Sequence, residues 1–251
     1  DDLDAGLLGL IGDPETRYRE DPVRMLRAIR FAAKLDLTIS PRSAAPIREL
    51  APLLQDIPPA RLFEETLKLF QAGHALKTYH LLREYGLFAP LFPQVATLLT
   101  KENNSPFERF LEQALTNTDD RVAADLPVTP AFFYAALLWG VVEKRSRDFA
   151  NESTLPPQDT LLLAMNEAID QQIKTIAIPR RFTADVREIW LLQDRLPRRR
   201  QLHSLGGAIE QLHPQGVLQH LDLLGQGRLG HAEAAGGPPE VSLLGHRQEQ
   251  P

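Results

Sequence analysis

Basic side chains recur in residues 23–35 at a spacing that a helix would place along one side. Arg24, Arg27, Arg30 and Lys34 follow one another at intervals of three, three and four residues. At about 100° per residue they share roughly a third of the helix circumference, and no acidic residue falls between them. Like charges at this spacing repel each other, and a guanidinium group suits paired hydrogen bonds to phosphates or base edges. The pattern favours an anion- or base-binding face, although a solvated face of an amphipathic helix has the same periodicity.

Two acids stand at the amino-terminal end of this segment. Glu20 and Asp21 precede Pro22, where the dipole of the following helix favours negative charge. Asp21 and Arg24 would lie one turn apart. Such a pair can read a base edge, because the carboxylate accepts a hydrogen bond from an exocyclic amine while the guanidinium donates one. This spacing suggests recognition of a nucleotide.

A second basic patch lies near residue 190. Its arginines are Arg180, Arg181, Arg187, Arg195, Arg198, Arg199 and Arg200. A patch of this kind can steer and track an RNA backbone, with a salt-dependent affinity that carries no sequence information. The end of a solvated helix would look the same.

The sequence predicts neither a metal site nor catalytic residues. Asp1, Asp2 and Asp4 form an acidic cluster, but adjacent residues in an untethered terminus are poorly placed to hold a metal ion. His74 and His80 are six residues apart, which places them on different faces of a helix. There is no cysteine, and no segment resembles a glycine-rich phosphate loop, a nucleophile elbow or a Ser/His/Asp arrangement.

Composition excludes some classes of protein. The 251 residues carry a net charge of −5, which excludes a uniformly basic nucleic-acid binder but not a local basic face. The longest apolar run, 132–142, is too short to cross a bilayer and predicts a buried helix, so we expect no membrane association. The absence of cysteine fits a reducing cytoplasm. Met25 and Met165 are the only methionines, and a first residue of Asp1 indicates a fragment.

Helical periodicity dominates the chain and predicts an all-α fold. Asp21-Pro22 and Pro58-Pro59 have the capping acid or the early proline that begins a helix, while Gly73 and Gly86 end one. The predicted helices cover 22–35, 59–70, 75–85, 106–116, 130–145, 157–176 and 182–195. Arg61 is expected to form a small surface ion pair with Glu64 and Glu65. The aromatic residues of 132–139 are expected in the core.

The last fifty residues differ in composition from the rest. Residues 201–251 contain nine of the fifteen glycines and five of the seven histidines, and no aromatic residue. Such a segment cannot support a packed core. It is either a flexible tail or a stretch in which the reading frame has been lost.

Two blocks of sequence resemble a known family. The first comprises Gly6-Leu7-Leu8, Leu10-Ile11-Gly12-Asp13-Pro14, Arg17, Glu20-Asp21-Pro22-Val23-Arg24-Met25-Leu26-Arg27 and Arg30-Phe31-Ala32-Ala33. These residues resemble the neck of bacterial poly(A) polymerases and of the related CCA-adding tRNA nucleotidyltransferases. A looser match runs through 57–65, 67–69, 71–73 and 86–88 to 91–93, and is closer to the poly(A) polymerase branch. Gly9 departs from the family, which usually has arginine there.

The resemblance implies a domain organisation. In the family an αβ head domain binds two Mg²⁺ ions, a helical neck selects the nucleotide, and the body and tail hold RNA. The chain would then contain a hinge from the head (1–14), a neck (15–95), a helical body (96–200) and a poorly structured tail (201–251). It would correspond to the neck and body of a class II nucleotidyltransferase that lacks the head, and is therefore expected to be inactive alone.

The resemblance also implies roles for individual residues. Glu20, Asp21, Arg24 and Arg27 would bind the nucleotide, and Asp13 and Arg17 would shape the hinge. Arg30, Lys34, Arg180, Arg181, Arg198, Arg199 and Arg200 would bind RNA.

The expected reaction of the parent enzyme is transfer of adenylyl groups from ATP to the 3′ end of single-stranded RNA in the cytoplasm, with Mg²⁺ bound by the head domain. One alternative is a CCA-adding enzyme that uses CTP and ATP on tRNA. Another is a non-enzymatic helical module whose basic helix meets an acidic protein.

Overall fold

The computed structural model describes residues 5–99 and 105–195, and the side chains of 192–195 are not part of that description. The described residues form twelve α-helices, one 3-10 helix and two very short strands. The α-helices are α1 Pro14–Glu20, α2 Val23–Leu35, α3 Pro41–Ala44, α4 Ile47–Leu50, α5 Pro59–Phe70, α6 Ala75–Glu84, α7 Phe88–Leu91, α8 Pro93–Ala96, α9 Pro106–Ala123, α10 Pro130–Glu152, α11 Pro157–Thr175 and α12 Arg180–Arg195. The 3-10 helix is Ala51–Asp56, and the strands are β1 Leu7–Leu8 and β2 Thr38–Ile39. The prediction of an all-α fold is confirmed.

Local sequence accounts for where the longer helices begin. Ser105 and Thr129 accept hydrogen bonds from backbone N–H groups in the first turns of α9 and α10, and a proline follows each of them. At the start of α2, Oδ1 of Asp21 accepts from Val23 N at 3.3 Å, but the N-cap position is Pro22, one residue later than the predicted capping acid. After α5, Gly73 adopts a φ of +80°, a left-handed conformation that glycine enters without strain.

The structure differs from the predicted elements in several respects. Helix α1 and the four-residue helices were not predicted, because segments that short carry little periodicity. Helices α9 and α10 extend past the predicted ends at 116 and 145, through polar residues that break the apolar pattern. Thr118, in the extension of α9, stays compatible with the helix because its hydroxyl donates to Ala114 O at 2.9 Å.

Two short segments pair as strands, although the sequence shows no alternating strand pattern there. Leu7 pairs with Thr38 and Leu8 with Ile39 in a parallel arrangement, which joins the segment before α1 to the segment after α2. Two residues per strand are too few to show an alternating pattern.

Apolar faces of α2, α5, α6 and α10 meet in the core. Met25 and Ile29 of α2 are fully buried, and Phe70 of α5 stacks on Phe133 of α10 with 4.4 Å between ring centroids. Phe133 and Tyr134 are buried, which confirms the core prediction for these two residues. Trp190 of α12 is also buried, and its Nε1 donates to Ala135 O at 3.0 Å, so that α12 is anchored on α10. None of the described helices combines the length and the apolar character that a membrane span requires.

Candidate nucleotide and RNA interface

Asp21 lies at the junction of α1 and α2, where the chain turns from one helix into the next. Its backbone is extended, with φ −148° and ψ 93°, and its carbonyl accepts from Arg24 N at 3.0 Å. Its carboxylate receives the N–H of Val23, as described above, so both the main chain and the side chain of Asp21 are tied to the first turn of α2. The carboxylate is consequently held at the first turn of α2.

Arg61 of α5 is the principal side-chain partner of Asp21. Its Nη2 lies 3.0 Å from both carboxylate oxygens of Asp21, although the two residues are 40 positions apart in sequence. The predicted ion pair of Arg61 with Glu64 and Glu65 is therefore wrong. Glu65 turns toward the core instead and is only 4% exposed, with Lys68 Nζ at 2.9 Å. No local pattern signals the contact of Arg61 with Asp21, because it depends on the packing of α5 against α2.

Glu20 connects two of the predicted site residues. Its Oε2 accepts from Arg17 Nη1 at 2.8 Å and lies 3.9 Å from Arg24 Nη2. The three side chains form an Arg–Glu–Arg series along the α1–α2 junction. Glu20 is half exposed, so these ion pairs contribute little to stability. The Arg24 side chain beside Glu20 is 24% exposed.

The four cations of α2 lie on one side of that helix and differ in their surroundings. We call Arg24, Arg27, Arg30 and Lys34 the α2 basic face. Arg24 has Glu20 nearby, and Nη1 of Arg30 lies 3.9 Å from Oε2 of the buried Glu65. Arg27 and Lys34 are exposed, and neither makes a side-chain hydrogen bond or ion pair with any residue in 5–99 or 105–195. These two cations are therefore available to an external anion.

An aromatic ring lies within this basic face. Phe31 is 42% exposed, and the guanidinium carbon of Arg30 lies 5.0 Å from the centroid of its ring. Helical geometry places Phe31 between Arg24 and Arg27 around the axis. Exposed aromatic rings among cations are typical of surfaces that bind single-stranded nucleic acids. Helical periodicity could have indicated this position, because it places Phe31 among the cations and away from the apolar residues.

Asp13 supports the start of α1. Its Oδ2 accepts from Thr16 N at 3.0 Å and from Thr16 Oγ1 at 2.7 Å, and these hydrogen bonds lower the pKa of the Asp13 carboxyl below its usual value. Asp13 is thus a helix cap, and Arg17 belongs to the ion-pair series described above. Both residues lie immediately before the Asp21 junction.

The second basic patch lies partly within the described residues. Arg180 and Arg181 are exposed in the first turn of α12, and the guanidinium of Arg181 stacks 4.7 Å from the ring of Phe182. Phe182 lies 6.0 Å from Phe63 of α5. Arg198, Arg199 and Arg200, together with the predicted tail, lie outside the described residues.

No group of three or more His, Cys, Asp or Glu residues in 5–99 and 105–195 could hold a metal ion. The family resemblance assigns the Mg²⁺ ions to a head domain and not to these residues. Asp1, Asp2 and Asp4 are outside the described part of the chain.

Comparison with known proteins places this surface in a family context. The family model "Probable RNA and SrmB-binding site of polymerase A" matches residues 36–99, and "Polymerase A arginine-rich C-terminus" matches residues 153–220. The chain is 54% identical over 198 residues to poly(A) polymerase I of Escherichia coli, covering 79% of this chain and 43% of that protein. The same polymerase of Haemophilus influenzae is also 54% identical, with 79% and 44% covered.

A more distant relative acts on tRNA. The CC-adding tRNA nucleotidyltransferase of Halalkalibacterium halodurans is 39% identical over 101 residues, covering 40% of this chain and 26% of that enzyme. The chain spans less than half the length of these poly(A) polymerase relatives.

Proposed function

The chain belongs to the poly(A) polymerase family, and on that premise we propose that the α1–α2 junction selects ATP for the addition of AMP to RNA 3′ ends. The α2 basic face and the first turn of α12 would hold the RNA. Since the chain spans less than half of its polymerase relatives, the activity proposed is that of the whole family enzyme. The described residues contribute recognition of the base and of RNA.

The observation that carries this proposal is the placement of Asp21 and Arg24. A carboxylate and a guanidinium stand one helical turn apart; Arg61 binds the carboxylate, and Glu20 lies 3.9 Å from the guanidinium. The Asp21 carboxylate can accept the exocyclic amine of adenine, and Arg24 can donate to a ring nitrogen of the same edge. Uracil presents a carbonyl where adenine presents the amine, so the carboxylate would lose its donor. A polar group left without its partner is what rejects the wrong base.

The proposed RNA binding rests on the cations that have no acidic partner among the described residues. Arg27 and Lys34 extend from the same face as Arg24, so a phosphate backbone lying along α2 would meet them next to the base-reading pair. Arg30 and Phe31 could receive a stacked base of the same strand. ATP is the expected nucleotide substrate. We assign to the described residues no role in holding Mg²⁺, because they lack a suitable cluster.

The second candidate is CCA or CC addition to tRNA. It is favoured by the CC-adding relative, whose similarity extends over 101 residues. Cytosine also presents an exocyclic amine, so Asp21 and Arg24 alone do not separate the two reactions. The RNA that the chain prefers does separate them.

The proposal is tested by measuring binding of the 251-residue chain to labelled oligo(A), tRNA and heparin across a salt series. We expect oligo(A) to bind more tightly than heparin at equal charge, and Arg24→Ala to weaken the oligo(A) complex by roughly tenfold. Lys144→Ala is the matched control, because Lys144 pairs with Asp148 on the exposed side of α10. Binding to tRNA alone would indicate the tRNA-specific branch. Equal binding to all three polyanions would contradict both readings.

A further inference from the structure

We infer that Arg61 is a positioning residue for base selection, which acts by fixing the carboxylate of Asp21. This inference rests on the proposed role of Asp21. Arg61 lies on α5, outside the segment 13–35 that carries every other residue proposed to form the base-reading site. Its contact with Asp21 brings α5 directly into that site.

The hydrogen bonds that the Asp21 carboxylate accepts can be compared with the number that it is able to accept. A carboxylate has about four acceptor positions, two on each oxygen. Oδ1 receives Val23 N and Arg61 Nη2, which fill both of its positions. Oδ2 receives Arg61 Nη2 and, among the described residues, no other donor. One acceptor position on Oδ2 is left for the base.

The geometry of the contact explains why an arginine serves here. A single Nη2 nitrogen bridges both oxygens at equal distances of 3.0 Å, so rotation of the carboxylate about its Cβ–Cγ bond would break one of the two contacts. The carboxylate plane is thereby set relative to α2, and the free position on Oδ2 keeps one direction. Without Arg61, Val23 N would be the one donor among the described residues to restrain the plane, at the longer distance of 3.3 Å.

The surroundings of Arg61 indicate that its main role is not to stabilise the fold. The side chain is 42% exposed, and exposed ion pairs contribute little to stability. The Asp21 side chain is better shielded, with 19% of its surface exposed. The consequence of losing Arg61 is therefore expected in the orientation of the carboxylate rather than in the stability of the fold.

The experiment compares ATP and UTP binding to the 251-residue chain by NMR chemical-shift titration, and reports the ratio of the two dissociation constants. We expect the ratio that favours ATP to fall about fivefold in Arg61→Gln, and to be partly restored in Arg61→Lys, which keeps the cation. The melting temperature of each variant is measured in parallel. A structural role would lower that temperature and weaken both nucleotides equally, leaving the ratio unchanged.

The double variant Asp21→Asn/Arg61→Gln shows whether Arg61 affects nucleotide selection through Asp21. If Arg61 acts through Asp21, the double variant has the same ratio as Asp21→Asn alone. Additive losses would overturn the inference, because Arg61 would then contact the nucleotide independently. An ATP preference that survives Arg61→Gln but is lost in Asp21→Asn would overturn the inference and leave the proposed function intact. A wild-type chain with no ATP preference would overturn the proposed function itself, and the role of Arg61 with it.

Discussion

Tyr18 shows how burial changes the chemistry of a single residue. Tyr18 is fully buried on the inner side of α1, and its hydroxyl donates to Ser43 O at 3.1 Å. Burial raises the pKa of this hydroxyl from 10.0 to about 12, because the phenolate is poorly solvated there. Tyr85, which is less buried, has a pKa raised by the same cause. The protein therefore holds protons on its tyrosines at a pH where the unfolded chain releases them.

We predict that the free energy of unfolding falls as the pH rises from 10 to 12. In this range the folded state keeps the Tyr18 proton and the unfolded state has lost it, so higher pH favours unfolding. A single such group contributes a slope of up to about 1.4 kcal/mol per pH unit. Tyr18→Phe should make the decline shallower, measured by urea denaturation between pH 9 and pH 12.

The half-buried Tyr85 supplies the comparison. Tyr85→Phe should alter the slope less than Tyr18→Phe, because desolvation of its hydroxyl is weaker. An identical slope in the wild type and in Tyr18→Phe would refute the assignment of alkaline sensitivity to Tyr18.

At the scale of the element, α6 depends on a cap supplied by another helix. His74 precedes α6 but its side chain makes no capping hydrogen bond. Asp119 of α9 fills this role, since its Oδ1 accepts from Ala75 N at 2.6 Å and its Oδ2 from Leu76 N at 3.1 Å. The negative charge also lies at the positive end of the α6 dipole. One carboxylate thus satisfies two backbone donors and joins α6 to α9.

We expect Asp119→Ala to lower the free energy of unfolding by about 1–2 kcal/mol, since two N–H groups lose their acceptor. Asp120→Ala is the matched control. It removes the same charge from the adjacent position, where the carboxylate is exposed, and should change stability by less than about 0.5 kcal/mol. The measurement is chemical denaturation at neutral pH. Equal losses in the two variants would show that charge, and not the cap, is responsible.

The helices whose starts the sequence located are those with a capping residue or a proline in the first turn. The Asp21-Pro22 and Pro58-Pro59 pairs located the starts of α2 and α5 to within a residue, because capping and proline geometry act over a few positions. The full extents of α9 and α10 were missed, since their last turns are polar and contribute little to the core. The cap from Asp119 was also beyond prediction, because it spans 44 residues.

The residues of the candidate site likewise divide into those that the sequence could predict and those that it could not. Asp21 and Arg24 could be proposed from spacing and from family resemblance, and the structure brings them together with Glu20 and Arg17 as neighbours. Arg61 could not, because the local pattern assigned it to Glu64 and Glu65. Which acid an arginine meets is decided by how α5 packs on α2, and no short-range signal encodes that packing.

At the scale of the whole molecule, a net charge of −5 coexists with two basic surfaces. The acids are distributed over the rest of the chain, so the α2 basic face acts through its local field. Arg27 and Lys34 contribute most to that field for an external ligand, because neither is paired with an acid of the described residues.

We predict that Arg27→Ala and Lys34→Ala each reduce the salt dependence of oligo(A) binding. Replacing a cation that meets a phosphate removes one released counterion, so the slope of log affinity against log salt should fall by roughly 0.7 per substitution on a single strand. Fluorescence anisotropy with labelled oligo(A) across a KCl series measures it. Lys144→Ala should leave the slope unchanged, and slopes that also stay constant in Arg27→Ala and Lys34→Ala would remove α2 from the RNA path.

Helix α5 contacts both basic regions. Its Arg61 binds Asp21 beside α2, while Pro59 O accepts from Ala177 N at 3.0 Å and Phe63 lies next to Phe182 of α12. A ligand that shifts the first turns of α5 through one of these contacts would change the binding free energy at the other, and by thermodynamic reciprocity the coupling factor would be the same in both directions. An RNA strand seated on α12 and a nucleotide at α2 would thus be allosteric effectors of each other, with α5 as the shared mechanical element.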